Sequence, residues 1–309
     1  MGTVHSLLEA QGKQAALEAG LTREVVEAAA AYLSDEDSGL GFAFAGWAQA
    51  ALPHRRLPDD QPWQLISERV TLVIEPGRRP VGGGRLEHVG VPFGAHARLI
   101  MLYLQTQALK TDSREVELGG SLRQWLTRMG VPIGGTAARS VRDQAERISR
   151  SHLTFHFGPE GNVSGLVNQS IVDRAIFLDV GAEHPQGRFS LETAKLSEGF
   201  FEQLKKHPMP IEEAAIRTLA NNSAAMDCYI WLAYRLHSLS GPKLVTWKAL
   251  KAQFGVSYRE LYHFKSKWVS ALELALAVYP AARVEVMDQG VKLWPSRPPV
   301  SQKLMAVKG

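Results

Sequence analysis

Arg259, His263, Ser266 and Ser270 recur at a spacing that places them on one side of a helix read over Tyr258–Val278, at about 100° per residue. A guanidinium, an imidazole and hydroxyls are the donors and acceptors that meet base edges and phosphates in a DNA groove. Leu261, Phe264, Trp268, Leu272 and Ala275 fall on the opposite side, Tyr262 and Lys267 on the flanks, and Lys265 nearer the apolar side, where it would snorkel. The expected DNA-binding set in this region is Lys248, Lys251, Ser257, Tyr258, Arg259, Tyr262, His263, Ser266, Lys267, Lys292 and Arg297. Lys248 and Lys251 lie on the preceding helix, and Lys292 and Arg297 in the following hairpin, where cations reach flanking phosphates. A second helix, Thr136–Arg150, turns Arg139 and Arg150 outward with Arg142 and Arg147 at its sides, and these four arginines are expected to contact DNA as well. Asp143 and Glu146 share that face, so it reads equally well as a solvated surface.

Enzyme chemistry finds no such constellation, and no catalytic residue, metal ligand or cofactor is assigned. Gly82-Gly83-Gly84 is not followed by Lys-Ser/Thr, so it reads as a loop and not as a nucleotide cradle. His152 and His156 fall in an expected strand, where four residues span about 13 Å. Asp35-Glu36-Asp37 and Asp59-Asp60 sit in turn-like contexts and would have to gather at one site to hold a divalent metal. Cys228 lies on an apolar helix face and reads as a small buried hydrophobe.

The elements that must position these residues follow from periodicity and caps. Residues 1–32 read as helix, with Thr22 as a cap, and Ser34–Asp60 as loop with one short helix over Phe42–Ala51. Val70–Ile74 alternates as a strand, and Arg78–Gly90 reads as a flexible connection. Then come an apolar helix (Ala95–Leu109), a short strand (Glu115–Leu118), a helix capped by Ser121 (Leu122–Met129) and the helix Thr136–Arg150. A hairpin of His152–Phe157 and Ile171–Val180 around Gly158–Gly165 follows. This order recurs: Asp227–Leu239, a stub strand at Leu244-Val245, a Thr246-capped helix to Phe254, a long helix from Tyr258, and a hairpin of Ala282–Met287 and Val291–Trp294. Ser121–Val131 and Thr246–Val256 align without a gap. The fold class expected is α+β, mainly α: two tandem winged helix-turn-helix domains with an N-terminal helical extension. The boundaries are an extension over 1–60, a first domain over 61–185, a second over 186–300 and a tail over 301–309.

The chain has 309 residues, 45% hydrophobic and 21% charged, enough for about two globular domains. Residues 241–309 hold 11 Lys and Arg against 4 Asp and Glu, while the remainder holds 24 bases and 27 acids. A basic C-terminal fifth on a mildly acidic body suggests that one region meets a polyanion. No membrane-length apolar run or signal-peptide core occurs, and the single cysteine excludes an internal disulfide, so a cytoplasmic location is expected.

Several blocks resemble the plasmid-encoded RepA-type replication initiators: Val91-Pro92-Phe93-Gly94 leading into Ala97-Arg98-Leu99-Ile100, Ser113–Gly119, Asp227–Arg235, Gln253-Phe254-Gly255, Phe264-Lys265, Tyr279-Pro280 and Leu293–Val300. The resemblance runs from about Gln61 to Val300. It implies an initiator that binds repeated double-stranded origin sites (iterons), reads them with its second winged helix and helps recruit the host initiator and replicative helicase. It also implies a homodimer in exchange with monomer, to which the near-uniformly apolar helix Ala95–Leu109 adds an argument. Val116 and Leu118, on the adjacent short strand, are the expected interface. A dimeric winged-helix repressor and a metal-dependent nucleic-acid enzyme are the alternatives.

Overall fold

The computed structural model describes residues 3–37, 39–66, 70–132, 134–157, 165–178 and 190–300. The tail 301–309 and most of the expected loop at 158–165 lie outside them. The described residues form a mixed α/β fold with ten α-helices. In chain order these begin with α1 (Thr3–Glu18), α2 (Arg23–Leu33), β1 (Leu40–Phe44), β2 (Trp63–Ile66), β3 (Val70–Glu75), β4 (Arg78–Pro80) and β5 (Leu86–His88). Next are α3 (Gly94–Thr111), β6 (Glu115–Glu117), α4 (Gly119–Arg128), α5 (Gly135–Arg150), β7 (His152–Phe157), β8 (Gly165–Ser170), β9 (Val172–Leu178), β10 (Ser190–Leu196) and α6 (Glu198–Lys206). Last are β11 (Pro208–Glu212), α7 (Glu213–Thr218), α8 (Ser223–Leu236), β12 (Lys243–Thr246), α9 (Trp247–Phe254), α10 (Leu261–Ala277), β13 (Val284–Met287) and β14 (Gly290–Leu293).

The chain divides into a central unit, Phe42–Gly46 with Leu52–Pro208, and a terminal unit, Met1–Gly41 and Trp47–Ala51 with Met209–Gly309. This corrects the boundaries expected at 60/61 and 185/186. The first helices are not a separate extension: α2 packs on α10 within the terminal unit, and the His5 ring nitrogen Nε2 lies 2.8 Å from the Ala277 carbonyl at the end of α10. The segment expected as a short helix at Phe42–Ala51 is instead the end of β1 and a 3-10 turn, Ala45–Ala48.

α3 is the axis of the central unit and is buried almost all round. Its polar groups are satisfied by the chain that covers it. Arg98 donates to the Leu52 carbonyl (2.7 Å), Gln105 accepts from the Phe44 amide (2.6 Å), and Thr106 accepts from the Phe42 amide (2.8 Å). The apolar excess of this helix is therefore used inside the unit, leaving it no role as evidence for a dimer.

Both units repeat one arrangement around a three-stranded sheet. In the terminal unit α8, β12, α9, α10, β13 and β14 follow in sequence, and the sheet order is β12-β14-β13. In the central unit α3, β6, α4 and α5 are followed by β9 and β10, with the matching order β6-β10-β9. The central hairpin is thus β9–β10 rather than β7 with β9. β7 pairs with β8 and β3 in a separate four-stranded sheet, β2-β3-β7-β8, of which β7 and β8 lie between α5 and β9 in the chain while β2 and β3 precede α3. The expected strand Ile171–Val180 ends, within the described residues, at Leu178 and belongs to the first sheet.

Val116 (1% exposed) and Leu118 (3%) point into the core of the central unit. The interface expected of these side chains is corrected accordingly. Because a charge at a sealed apolar position has no partner, Val116→Asp should lower the thermal midpoint of the chain sharply. Unfolding followed by circular dichroism should show that loss at every protein concentration, where a dissociated dimer would show it only on dilution.

Candidate nucleic-acid interface

In the terminal unit the sequence sets each element locally. Thr246 caps α9, its hydroxyl accepting from the Ala249 amide at 3.2 Å. Trp231, Trp247, Phe254 and Trp268 form an aromatic cluster with centroids 5.7–6.0 Å apart, edge-to-face except for the tilted Phe254–Trp268 pair; it fixes α9 and α10 against α8. Phe264, Trp268, Leu272 and Ala275 are buried as expected, while Leu261 is exposed.

α10 begins at Leu261, not at Tyr258, with Glu260 at the cap position and no side-chain cap bond. Ser257 therefore does not cap it. Ser257, Tyr258 and Arg259 instead form the turn between α9 and α10, where the Tyr258 amide donates to the Gly255 carbonyl and its ring packs on Phe264. Arg259 leaves the helix face on which the sequence put it, and is almost fully exposed beside Glu260.

The outward side of α10 carries Tyr262, His263, Ser266 and Lys267, all exposed. Tyr262 is 65% exposed, and its ring lies over that of His263 at 3.9 Å. A large aromatic standing in solvent beside an imidazole offers an apolar surface and hydrogen-bonding edges together, which is what a base pair presents in return. Lys265 lies 5.0 Å from the Trp247 ring and so is used in packing. Lys248 is exposed on α9 and Lys251 half-buried. On the hairpin, Lys292 sits over Trp294 at 5.0 Å, and Arg297 is exposed while its carbonyl accepts from the Tyr279 hydroxyl (2.6 Å). Lys243, at the exposed start of β12, opposite Leu293, joins this set. The sequence reading missed it because a lone lysine after Gly-Pro carries no periodic signal.

The central unit treats the four arginines of α5 differently. Arg139 and Arg142 are exposed on α5. Arg150 donates to Glu146 (3.2 Å) and to the Arg78 carbonyl (3.1 Å). Arg147 is 2% exposed and lies in the core. It meets Asp143 at 2.9 Å and Asp59 at 3.1 Å, donates to the Val91 carbonyl and covers the Phe93 ring. It cannot reach a phosphate from there, so its expected DNA contact is corrected to a structural one. Asp143 and Glu146 are correspondingly held by arginines, and no longer count as free charges opposing DNA.

The other chemical candidates resolve in the same way. Arg217 joins Asp35 and, at 2.8 Å, Asp37, so a guanidinium occupies the place that a metal would need. Asp59 pairs with Arg56 (2.7 Å) as well as with Arg147. Burial opposes its ionisation, yet the hydrogen bonds and positive charges of Arg56 and Arg147 together hold its carboxyl below the usual range. Cys228 is fully buried, and burial followed by the charge of Asp227 raises its thiol well above the usual value. Among the described residues no group of three or more His, Cys, Asp or Glu is arranged to hold a metal ion, and no helix is long and apolar enough to cross a membrane.

No curated protein matches the chain. A crystal structure of a selenomethionine derivative of domains 2 and 3 of RctB matches with a TM-score of 0.54 and 15% identity, over 84% of this chain and 99% of that one. A second crystal structure of RctB domains 2–3 matches over 81% and 94%, at 13% identity and a TM-score of 0.45. At such identity the first likeness is one of fold. The family of plasmid-encoded RepA proteins matches residues 91–248, just over half of the chain and inclusive of α3 through α8. This chain belongs to the family of plasmid-encoded RepA proteins.

Proposed function

We propose that this protein is a plasmid replication initiator that binds repeated double-stranded origin sites through two winged helix-turn-helix units. α10 of the terminal unit lies in the major groove, and α5 of the central unit contributes backbone contacts from Arg139 and Arg142. The observation that carries the reading is the repeated helix, stub strand, helix, helix and hairpin order, with matching sheets β6-β10-β9 and β12-β14-β13. In a winged helix the last helix before the hairpin is the recognition helix, which supports reading α5 and α10 in that role. The exposed Tyr262, His263, Ser266 and Lys267 on α10 and the basic balance of residues 241–309 agree with it. The protein acts by binding and by recruiting the host initiator and replicative helicase, not as an enzyme, and it works in the cytoplasm. It exchanges between monomer and dimer, the backbone edge of β6 rather than the side chains of Val116 and Leu118 being the surface for a second copy.

The experiment is origin binding measured beside binding to random DNA across a salt series. His263→Ala should reduce the preference for origin DNA by roughly 1–3 kcal/mol, the range for losing one good base contact. Lys248→Ala should weaken both DNAs alike and flatten the salt dependence by about one phosphate contact. Equal loss on both DNAs for His263→Ala would remove α10 as the reading element. Supplying the gene in trans to a minimal plasmid that lacks it tests the rest. Restored replication supports an initiator, whereas dispensability together with protection of an inverted repeat makes the protein a repressor.

A further inference from the structure

The segment Arg78–His88, expected as a flexible connection, is a two-stranded hairpin, with Arg78 opposite His88, Arg79 opposite Glu87 and Pro80 opposite Leu86. Nearly all of it is exposed, and Leu86 is 60% exposed. A lone two-stranded hairpin without an apolar face is marginal in water, so something must hold it. Its base is held by α5. Gly77 lies so close to the Arg150 carbonyl that a Cβ there would collide with it. Arg150 donates to the Arg78 carbonyl (3.1 Å), and Arg79 pairs with Glu146 (3.1 Å).

The other end does the opposite. Gly82, Gly83 and Gly84 all have left-handed φ values, +88°, +58° and +72°, and a Cβ on any of them would meet nothing within 4 Å. These glycines make the turn and leave its tip bare. The Val81 amide donates to the Arg85 carbonyl (3.1 Å) and the Arg85 amide to the Gly82 carbonyl (3.2 Å), which presents the exposed Arg85 beside that tip.

We propose that the β4–β5 hairpin is a DNA-contacting arm that places its three-glycine tip and Arg85 in the minor groove, next to the DNA segment faced by α5. This rests on the reading of the central unit as a DNA-binding winged helix. A tip without side chains is only as thick as the backbone itself, so the hairpin can enter edge-on a groove about 6 Å wide. The minor groove carries strongly negative potential where it narrows over A·T pairs, which favours an inserted arginine. An arm fastened to α5 at one end and bare at the other has the shape for that contact. The hairpin stands outside the repeated order of α3, β6, α4, α5, β9 and β10, so it would be a contact separate from the recognition helix and its wing.

The test uses the full chain and a labelled origin fragment, with hydroxyl-radical cleavage as the readout of minor-groove access. Wild type should protect a short segment that Arg85→Ala leaves open. The affinity of Arg85→Ala should fall roughly fivefold to tenfold, with a salt slope smaller by about one. Netropsin, which fills the minor groove of A·T pairs, should weaken wild type by a similar factor and leave Arg85→Ala unchanged. The circular dichroism of the variant should match wild type, because the tip supports no packing. An Arg85→Ala protein with wild-type affinity and footprint overturns the arm. A weaker variant that still responds to netropsin reduces it to a phosphate contact and overturns the minor-groove placement. Lys248→Ala separates the two readings: if it loses affinity while Arg85→Ala does not, only the arm falls. A full chain with no preference for origin DNA removes both.

Discussion

A chain that starts at Asp35, without α1 and α2, should lose the folded terminal unit and with it all specific DNA binding. The buried positions of α10, namely Phe264, Trp268, Ala271, Leu272, Leu274, Ala275 and Ala277, spread over an arc wider than one packed face. α8 and α2 both pack on this helix. α2 buries Val25, Val26 and Ala29, α1 buries Val4 and Ala16, and each valine is worth about 1.5–3 kcal/mol when sealed. The deletion also leaves Glu212 without the Tyr32 hydroxyl that donates to it at 2.6 Å. It also exposes the far side of α10 to water. The total, of the order of 5 kcal/mol or more, approaches the whole stability of an ordinary domain. Thermal unfolding of the full and shortened chains decides it. A shortened chain with the same midpoint and the same origin affinity would show that α2 is an appendage. Val26→Asp, a single change at a sealed position of α2, should move the midpoint in the same direction.

Arg147→Ala is expected to destabilise the central unit by about 3 kcal/mol, the low end of the range for removing one partner of a buried ion pair, because Asp59 and Asp143 are themselves only partly buried. The loss combines the ion pairs with Asp59 and Asp143, the bond to the Val91 carbonyl and the cover over Phe93. Arg147→Lys should recover little, because an ammonium cannot span two carboxylates and a carbonyl in a fixed fork. Below its unfolding temperature the variant should bind DNA with wild-type affinity and salt slope, which distinguishes a core arginine from a phosphate contact. The pH dependence follows from Asp59. Its folded carboxyl titrates below the unfolded one, so its contribution is full above the unfolded value and is lost as pH falls through the folded value. In Arg147→Ala that acid-side loss should shrink, leaving Arg56 alone to hold the carboxylate. A variant with unchanged stability but weaker DNA binding would return Arg147 to the surface.

How far the sequence alone could be read depended on where each residue's partner lies along the chain. In the terminal unit β12, α9 and the hairpin β13–β14 stand close to where caps and periodicity put them. There Thr246, the Asp288-Gln289-Gly290 turn and the apolar spacing of Phe264, Trp268 and Leu272 act over a few residues. The RepA motifs likewise are local strings, so the family was legible. Two features were not. His152–Phe157 alternates as any strand would, but the alternation is silent on whether its neighbour is β8 and β3 or the strand at 172–178, and only the assembled sheets decided that. The same holds for charge. Arg147 looks like its neighbours Arg142 and Arg150 in sequence, and becomes a core residue because Asp59, 88 positions away, closes over it. The membership of α1 and α2 in the terminal unit, and the cover of α3 by Phe42, Phe44 and Leu52, are decided by surfaces far apart along the chain. Local spacing determines which conformation a segment adopts and which face is apolar; which other segment meets that face is a property of the folded chain as a whole.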